Sequence, residues 1–172
     1  MKLLILGSDR NNDFECQRRE NIMLTEEVAM ELAHRKHSII TLGSGGLQGT
    51  LAEIYKRSGG TDWTALYAQG EEQDSNARLK SGRAPDHEIL SGVPYPIVDP
   101  NYSGLYEGAV ALAGRSKTLG DIIYVALRKE QGVFQLKTGN NMELLPKMSD
   151  LYLKVYFSSR ASCGLNFLEG KL

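Results

Sequence analysis

Three short apolar runs, each ending directly on glycine, constrain this chain more than any other feature. Lys2–Leu6 (KLLIL) stops at Gly7, Ser38–Leu42 (SIITL) at Gly43, and Ala109–Ala113 (AVALA) at Gly114. Runs this short, with no polar alternation, suit strands covered on both faces, as parallel strands are. Helical periodicities follow them. Leu24, Val28 and Leu32 repeat beside Ala29 and Ala33 from about Arg18 to Arg35; Leu47, Leu51, Ile54 and Tyr55 precede Gly59-Gly60; Leu119, Ile122, Ile123 and Ala126 end near Gln131-Gly132. Trp63–Ala68 and Val133–Leu136 read as further strands. Strand and helix alternating through short connections predict an α/β fold, a doubly wound parallel sheet of about six or seven strands in three α/β/α layers.

The rest is less regular. From Gln69 to Asp86 no apolar period survives, so a long loop is expected, either a lid or a surface excursion. His87–Leu90 and Tyr95–Val98 read as short extended pieces among Pro94, Pro96 and Pro100, with a brief helix over Asn101–Glu107. Asn140–Met148 is weakly helical and Leu151–Phe157 alternates like a last strand. Residues 158–172 carry no strong period and read as a loosely docked tail. The expected organisation is one domain over 1–157 followed by that C-terminal tail, a reasonable size for 172 residues.

Lys and Arg total 20 against 21 Asp and Glu, a net charge of −1. No strong field draws such a chain to nucleic acid or to an anionic membrane, and neither is expected as a partner. There is no signal-peptide pattern and no apolar stretch of membrane-spanning length, so a cytoplasmic location is expected. Cys16 and Cys163 form no motif and read as inert thiols. His34 and His37 read as the end of the first helix, and neither they nor His87 has metal-ligand spacing; no metal and no cofactor are expected. No G-x-S-x-G elbow occurs, so serine hydrolase chemistry has no support.

In an open parallel sheet, ligands bind beyond the carboxyl ends of the strands. Candidate ligand- and phosphate-binding residues are therefore Gly7 and Ser8, then Gly43, Ser44, Gly45 and Gly46, then Gly114, Arg115, Ser116, Lys117 and Thr118. Glycine lets backbone N–H groups approach an anion closely, and two of these loops open onto a helix N-terminus. The same glycines also suit tight strand-to-helix turns. Gly43 to Gly49 is not the G-x-G-x-x-G dinucleotide fingerprint, because Gln48 stands where the third glycine would fall. Nor is Gly114 to Thr118 a P-loop, since no glycine precedes Lys117. Arg115 to Thr118 still gathers two cations and two hydroxyls at a predicted helix start, either an anion clamp or a solvated basic turn. Asp9 and Arg10 lie just past the first strand, in the crevice or in solvent, and Glu53 reads as a solvated helix residue.

The segments ILGS, LGSGGLQGTLAEIYKRSGG (Leu42–Gly60) and AVALAGRSKTLGDIIYVAL (Ala109–Leu127) resemble the LOG-like proteins. These are Rossmann-like proteins of the wider SLOG superfamily, long labelled lysine decarboxylases, and include cytokinin riboside monophosphate phosphoribohydrolases. The resemblance spans most of residues 1–136. Gly43, Gly45, Gly46, Gly49 and the closing Gly59-Gly60 resemble the family's G-G-G-x-x-G-x-M-x-A segment. Ala113 to Asp121 lies over its second signature, P-G-G-x-G-T-x-x-E. There Gly114 and Thr118 agree, Asp121 keeps the acid one methylene shorter, proline has become Ala113, and two glycines have become Arg115 and Lys117. The family's arginine, in a short helix before this strand, has no counterpart near Asp99 to Asn101, since no Arg occurs between Arg83 and Arg115.

The resemblance implies a nucleotide-type small-molecule ligand and a homodimer whose partner completes the site. Three functions stand as expectations. The first is a nucleotide-binding protein of the LOG-like group. The second is a phosphoribohydrolase that cleaves the N-glycosidic bond of nucleoside 5′-monophosphates, with Asp121 as the catalytic carboxylate. The third is an interaction module whose pocket Arg115 and Lys117 have closed.

Overall fold

In the computed structural model, residues 1–8, 17–43, 45–71, 82–113, 116–129, 132–136 and 154–171 are described. Seven strands form one sheet: β1 (Lys2–Leu6), β2 (Ser38–Thr41), β3 (Trp63–Tyr67), β4 (His87–Leu90), β5 (Gly108–Ala111), β6 (Val133–Leu136) and β7 (Val155–Ser158). Their order is β4-β3-β2-β1-β5-β6-β7, and every neighbouring pair is parallel. The chain winds outward from β1 to β4, then crosses back to β5 and winds the other way. The switch point therefore lies between β1 and β5, as the sequence predicts for a doubly wound sheet.

The helices are α1 (Arg19–His34), α2 (Gly46–Arg57), α3 (Pro100–Ser103), α4 (Ser116–Lys129) and α5 (Ala161–Leu168). Strand alternation divides the core between two faces. Leu3 and Ile5 of β1 join Ile39, Trp63, Val110 and Phe134 against Val28 and Leu32 of α1, Leu51 of α2 and Leu165 of α5. Leu4 and Leu6 join Ile40, Leu66, Ala109 and Val133 against Ile122, Val125 and Ala126 of α4. Continuous apolar strands are thus explained, since each residue meets a helix layer on its own face.

Three expectations change. Residues 158–172 are no loose tail: Val155–Ser158 completes the sheet and α5 docks on it, with Ala161, Gly164 and Leu165 buried. An added Cβ at Gly164 would stand 2.1 to 2.2 Å from ring carbons of Phe134, so only glycine lets this helix lie so close to β6. Tyr95–Val98 is not extended, because Pro96 opens a 3-10 turn over Pro96–Val98. His37 is not part of α1; it lies buried before β2, with Nε2 2.8 Å from Oε1 of Glu169. His34 does close α1. No helix among the described residues is long and apolar enough to cross a membrane.

Candidate functional site

The carboxyl ends of β1, β2 and β5 meet at the switch point. Gly7 follows β1 with φ of 152°, and a Cβ there would stand 2.9 Å from Cβ of Leu112. This bare backbone lets the chains run on side by side, the Ser8 N–H donating to the Ala113 carbonyl at 3.2 Å. Ser8 is left buried on the crevice floor. Its carbonyl accepts from the N–H groups of Leu47 at 2.9 Å and Gln48 at 3.4 Å, so the first β-loop caps the first turn of α2.

Gln48, the residue that breaks the glycine fingerprint, ties the two loops together. Its Oε1 accepts from the Leu42 N–H at 2.7 Å and its Nε2 donates to the Gly7 carbonyl at 3.1 Å. It is 1% exposed. The turn it holds is fixed from below as well. Nε1 of Trp63 donates to Oγ1 of Thr41 at 2.9 Å, and that hydroxyl donates to the Gly43 carbonyl. Gly43 itself has φ of 83°, a left-handed conformation that favours glycine.

Across the crevice, α4 presents its N-terminal turns. Lys117 and Asp121 are four residues apart, a spacing that commonly pairs opposite charges. Here Tyr95 lies between them instead. Its hydroxyl donates to Oδ1 of Asp121 at 2.9 Å, and Nζ of Lys117 lies over its ring, 5.0 Å from the centroid. Asp121 and Thr118 are buried, whereas Lys117 is exposed and makes no ion pair with a described carboxylate. The segment bearing Tyr95 is held by Tyr102, whose hydroxyl donates to the Ser91 carbonyl at 2.9 Å, and by Tyr106, which donates to the Ile97 carbonyl at 3.3 Å.

Beside this group opens a cleft of about 320 Å³, counting the space in its mouth, lined by Leu42, Ala68, Glu71, Pro94, Tyr95, Pro96, Ile97 and Lys117. It lies past the ends of β2 and β3 and reaches the start of α4. Buried polar residues mark the same end of the molecule. Among the described residues, Ser8, Thr41, Gln48, Ser91, Thr118 and Asp121 are buried polar residues at strand carboxyl ends or in the first two turns of α2 and α4. Burying polar groups costs stability unless they are hydrogen-bonded, and Thr41, Gln48 and Asp121 meet that condition by holding the loops of this end in place.

The structure thus brings Gly7, Ser8, Gly43, Gly45 and Gly46 to one edge with Lys117, Thr118 and Asp121. Ser44, Gly114, Arg115, Asp9, Arg10 and Cys16 lie outside the described residues, as do residues 72–81 of the long loop and the side chain of Ser116. Asp121 sits at the crevice, its carboxylate engaged by Tyr95. Where the resemblance would put an arginine, near Asp99 to Asn101, the short helix α3 is capped by Asp99, whose side chain accepts from the Asn101 N–H at 2.8 Å. Glu53 is paired with Arg83 at 3.7 Å rather than simply solvated. Gln48, Tyr95 and Glu71 are absent from the sequence-based set. No group of three His, Cys, Asp or Glu side chains among the described residues gathers to hold a metal.

No protein-family model matches the chain, and no curated protein matches it. Solved structures do. The molybdenum cofactor (Moco) carrier protein of Chlamydomonas reinhardtii superposes with a TM-score of 0.73 at 17% identity, over 99% of this chain and 98% of that one. The molybdenum cofactor binding protein of Rippkaea orientalis gives 0.73 at 13% identity, over 98% and 95%. DNA processing protein A of Helicobacter pylori, described by its single-stranded DNA binding mode, gives 0.62 at 15% identity, over 99% and 80%. Likeness at these identities is likeness of architecture, and it agrees with the strand order and switch point above: the chain has a Rossmann-like, three-layer α/β/α fold.

Proposed function

We propose that this protein binds an anionic, nucleotide-type small molecule in the cleft between the ends of β2 and β3 and the start of α4. The observation that carries the reading is Lys117. It is a cation without a carboxylate partner among the described residues, seated on the Tyr95 ring at the rim of a cleft beside a helix N-terminus. The partial positive charge of that terminus and the ammonium group add in attracting a phosphate. The carboxylate of Asp121, accepting from Tyr95, fixes the ring on which Lys117 rests. Two of the similar folds are described as a carrier and a binding protein of the molybdenum cofactor, which favours small-molecule binding over a purely structural role.

The test is calorimetry with nucleoside mono-, di- and triphosphates, NAD and ADP-ribose, on the wild type and on Lys117→Ala. At least one phosphate-bearing ligand should bind, and the variant should bind it about 10-fold or more weakly, the effect of losing a charge-assisted contact. Absence of heat and of any thermal shift across the panel would overturn the reading, because a ligand at about 100 times its Kd adds about 2.7 kcal/mol of stability. Free base appearing in the same samples would assign the phosphoribohydrolase reaction, with Asp121 as its carboxylate. Intact ligand would leave a binding protein.

A further inference from the structure

The cleft that Lys117 borders has a second charged residue, and its sign is opposite. Glu71 lines the slot whose remaining walls are largely apolar, among them Leu42, Pro94 and Ile97. Its place is fixed by backbone rather than by chance. The Glu71 N–H donates to the Ala68 carbonyl at 3.0 Å in the turn that follows β3, and the neighbouring Gln69 N–H donates to the Val93 carbonyl at 2.9 Å. That turn is thereby stitched to the opposite wall of the same cleft. The Glu71 carboxylate itself makes no hydrogen bond or ion pair with a described residue.

Glu71 is a half-buried carboxylate without a partner among the described residues in the lining of an otherwise largely apolar cleft, and a donor that enters the cleft can pair with it. A phosphate is no such donor, and the Lys117 side serves that part of the ligand. We propose that Glu71 reads the ring of the bound nucleotide, selecting a heteroaromatic edge that carries a ring N–H beside an exocyclic amino group. This rests on the nucleotide-type reading given above. The two carboxylate oxygens match two parallel donors, as a guanine edge or a pterin edge presents them. Adenine offers a ring nitrogen acceptor beside its amino group, so one carboxylate oxygen would face a lone pair. The repulsion discriminates as much as the attraction does. Hypoxanthine, with the ring N–H but no amino group, falls between.

The experiment is calorimetric titration of the intact chain and of Glu71→Gln with GMP, IMP, AMP and neopterin monophosphate, with Lys117→Ala run beside them. Thermal unfolding of each variant confirms that it folds. The expected order is GMP over IMP over AMP, with GMP ahead of AMP by about 10- to 100-fold, the span of a hydrogen bond to a charged group. Glu71→Gln should bring the GMP-to-AMP ratio to one or below, with GMP weakened and AMP strengthened, because the amide offers a donor to the adenine ring nitrogen and an acceptor to its amino group. The neopterin arm shows which ring system carrying that edge fits the slot better. Equal binding of GMP and AMP, or an unchanged ratio in Glu71→Gln, would overturn the assignment of Glu71. If Lys117→Ala still weakens every ligand in that case, the nucleotide-type reading survives it. No binding by any ligand would remove both.

Discussion

Single atoms decide two features of this molecule. Gly164 occupies the middle of α5, where glycine ordinarily costs stability against alanine. Here its missing Cβ is what seats the helix on Phe134, whose ring is fully buried and has nowhere to move. Gly164→Ala should therefore destabilise the fold by about 1–3 kcal/mol through overpacking, the reverse of its helix-propensity effect, and chemical denaturation midpoints give the sign directly. Tyr95 is the second case. A phenol between Lys117 and Asp121 keeps the two charges from neutralising each other, so one side chain sustains both an available cation and a satisfied buried carboxylate.

At the scale of elements, the site depends on loops held in register with one another. Gln48 bridges the end of β2 to the end of β1 through two hydrogen bonds to backbone groups. Gln48→Ala leaves the Leu42 N–H and the Gly7 carbonyl short of a partner, and about 2–4 kcal/mol of stability should be lost. A thermal-unfolding series measures that loss, and calorimetry with the best ligand should show weaker binding in the same variant. The interior elements were legible in the sequence because parallel strands buried on both faces leave uninterrupted apolar runs: β1, β2, β3 and β6, together with α1, α2 and α4, lie close to where periodicity puts them. What escaped depends on contacts across the chain. The α5 segment, ASCGLNFL, has small residues and a central glycine, and packing on β6 supplies what its propensity lacks. Pro96 suits an extended piece as well as the first residue of a 3-10 turn. The Tyr95–Asp121 hydrogen bond spans 26 positions, and no local spacing announces it. Gln48 was legible only as a departure from a glycine pattern, while its role needs both loops in view.

The whole molecule is closed at the opposite end of the sheet by charge. Glu169, just past α5, accepts from Nζ of Lys171 at 2.6 Å, from Nη1 of Arg35 at 3.2 Å, and lies 2.8 Å from Nε2 of His37. Arg35 also pairs with Glu31 at 2.9 Å and donates to Asn166 at 2.8 Å, and the Met1 amino group lies 3.3 Å from Nδ1 of His37. Together these contacts join α1, the start of β2 and the segment after α5. The Lys171 hydrogen bond, with those from His37 and Arg35, holds the Glu169 carboxyl down at about 2 from an ordinary 4.5. Burial lowers His37 below its ordinary 6.5, against the pull of Glu169. Both shifts act in one direction. A carboxyl with a depressed pKa contributes stability that is complete above about 4.5 and fades as pH falls toward 2, while a histidine that resists protonation in the fold begins to oppose folding once pH drops below about 6.5. The melting temperature should therefore hold steady above neutrality, soften through the histidine range, and decline further below 4.5. Glu169→Gln should flatten the lower limb of that curve and leave α5 easier to detach. A melting temperature that is level from pH 7 to pH 3 would show that this network does not tie the C-terminal helix to the fold. With the network intact, acid should release α5 first, and a fall in the tertiary signal of Tyr156 and Phe167, whose rings stack with centroids 5.2 Å apart, would register it before the sheet gives way.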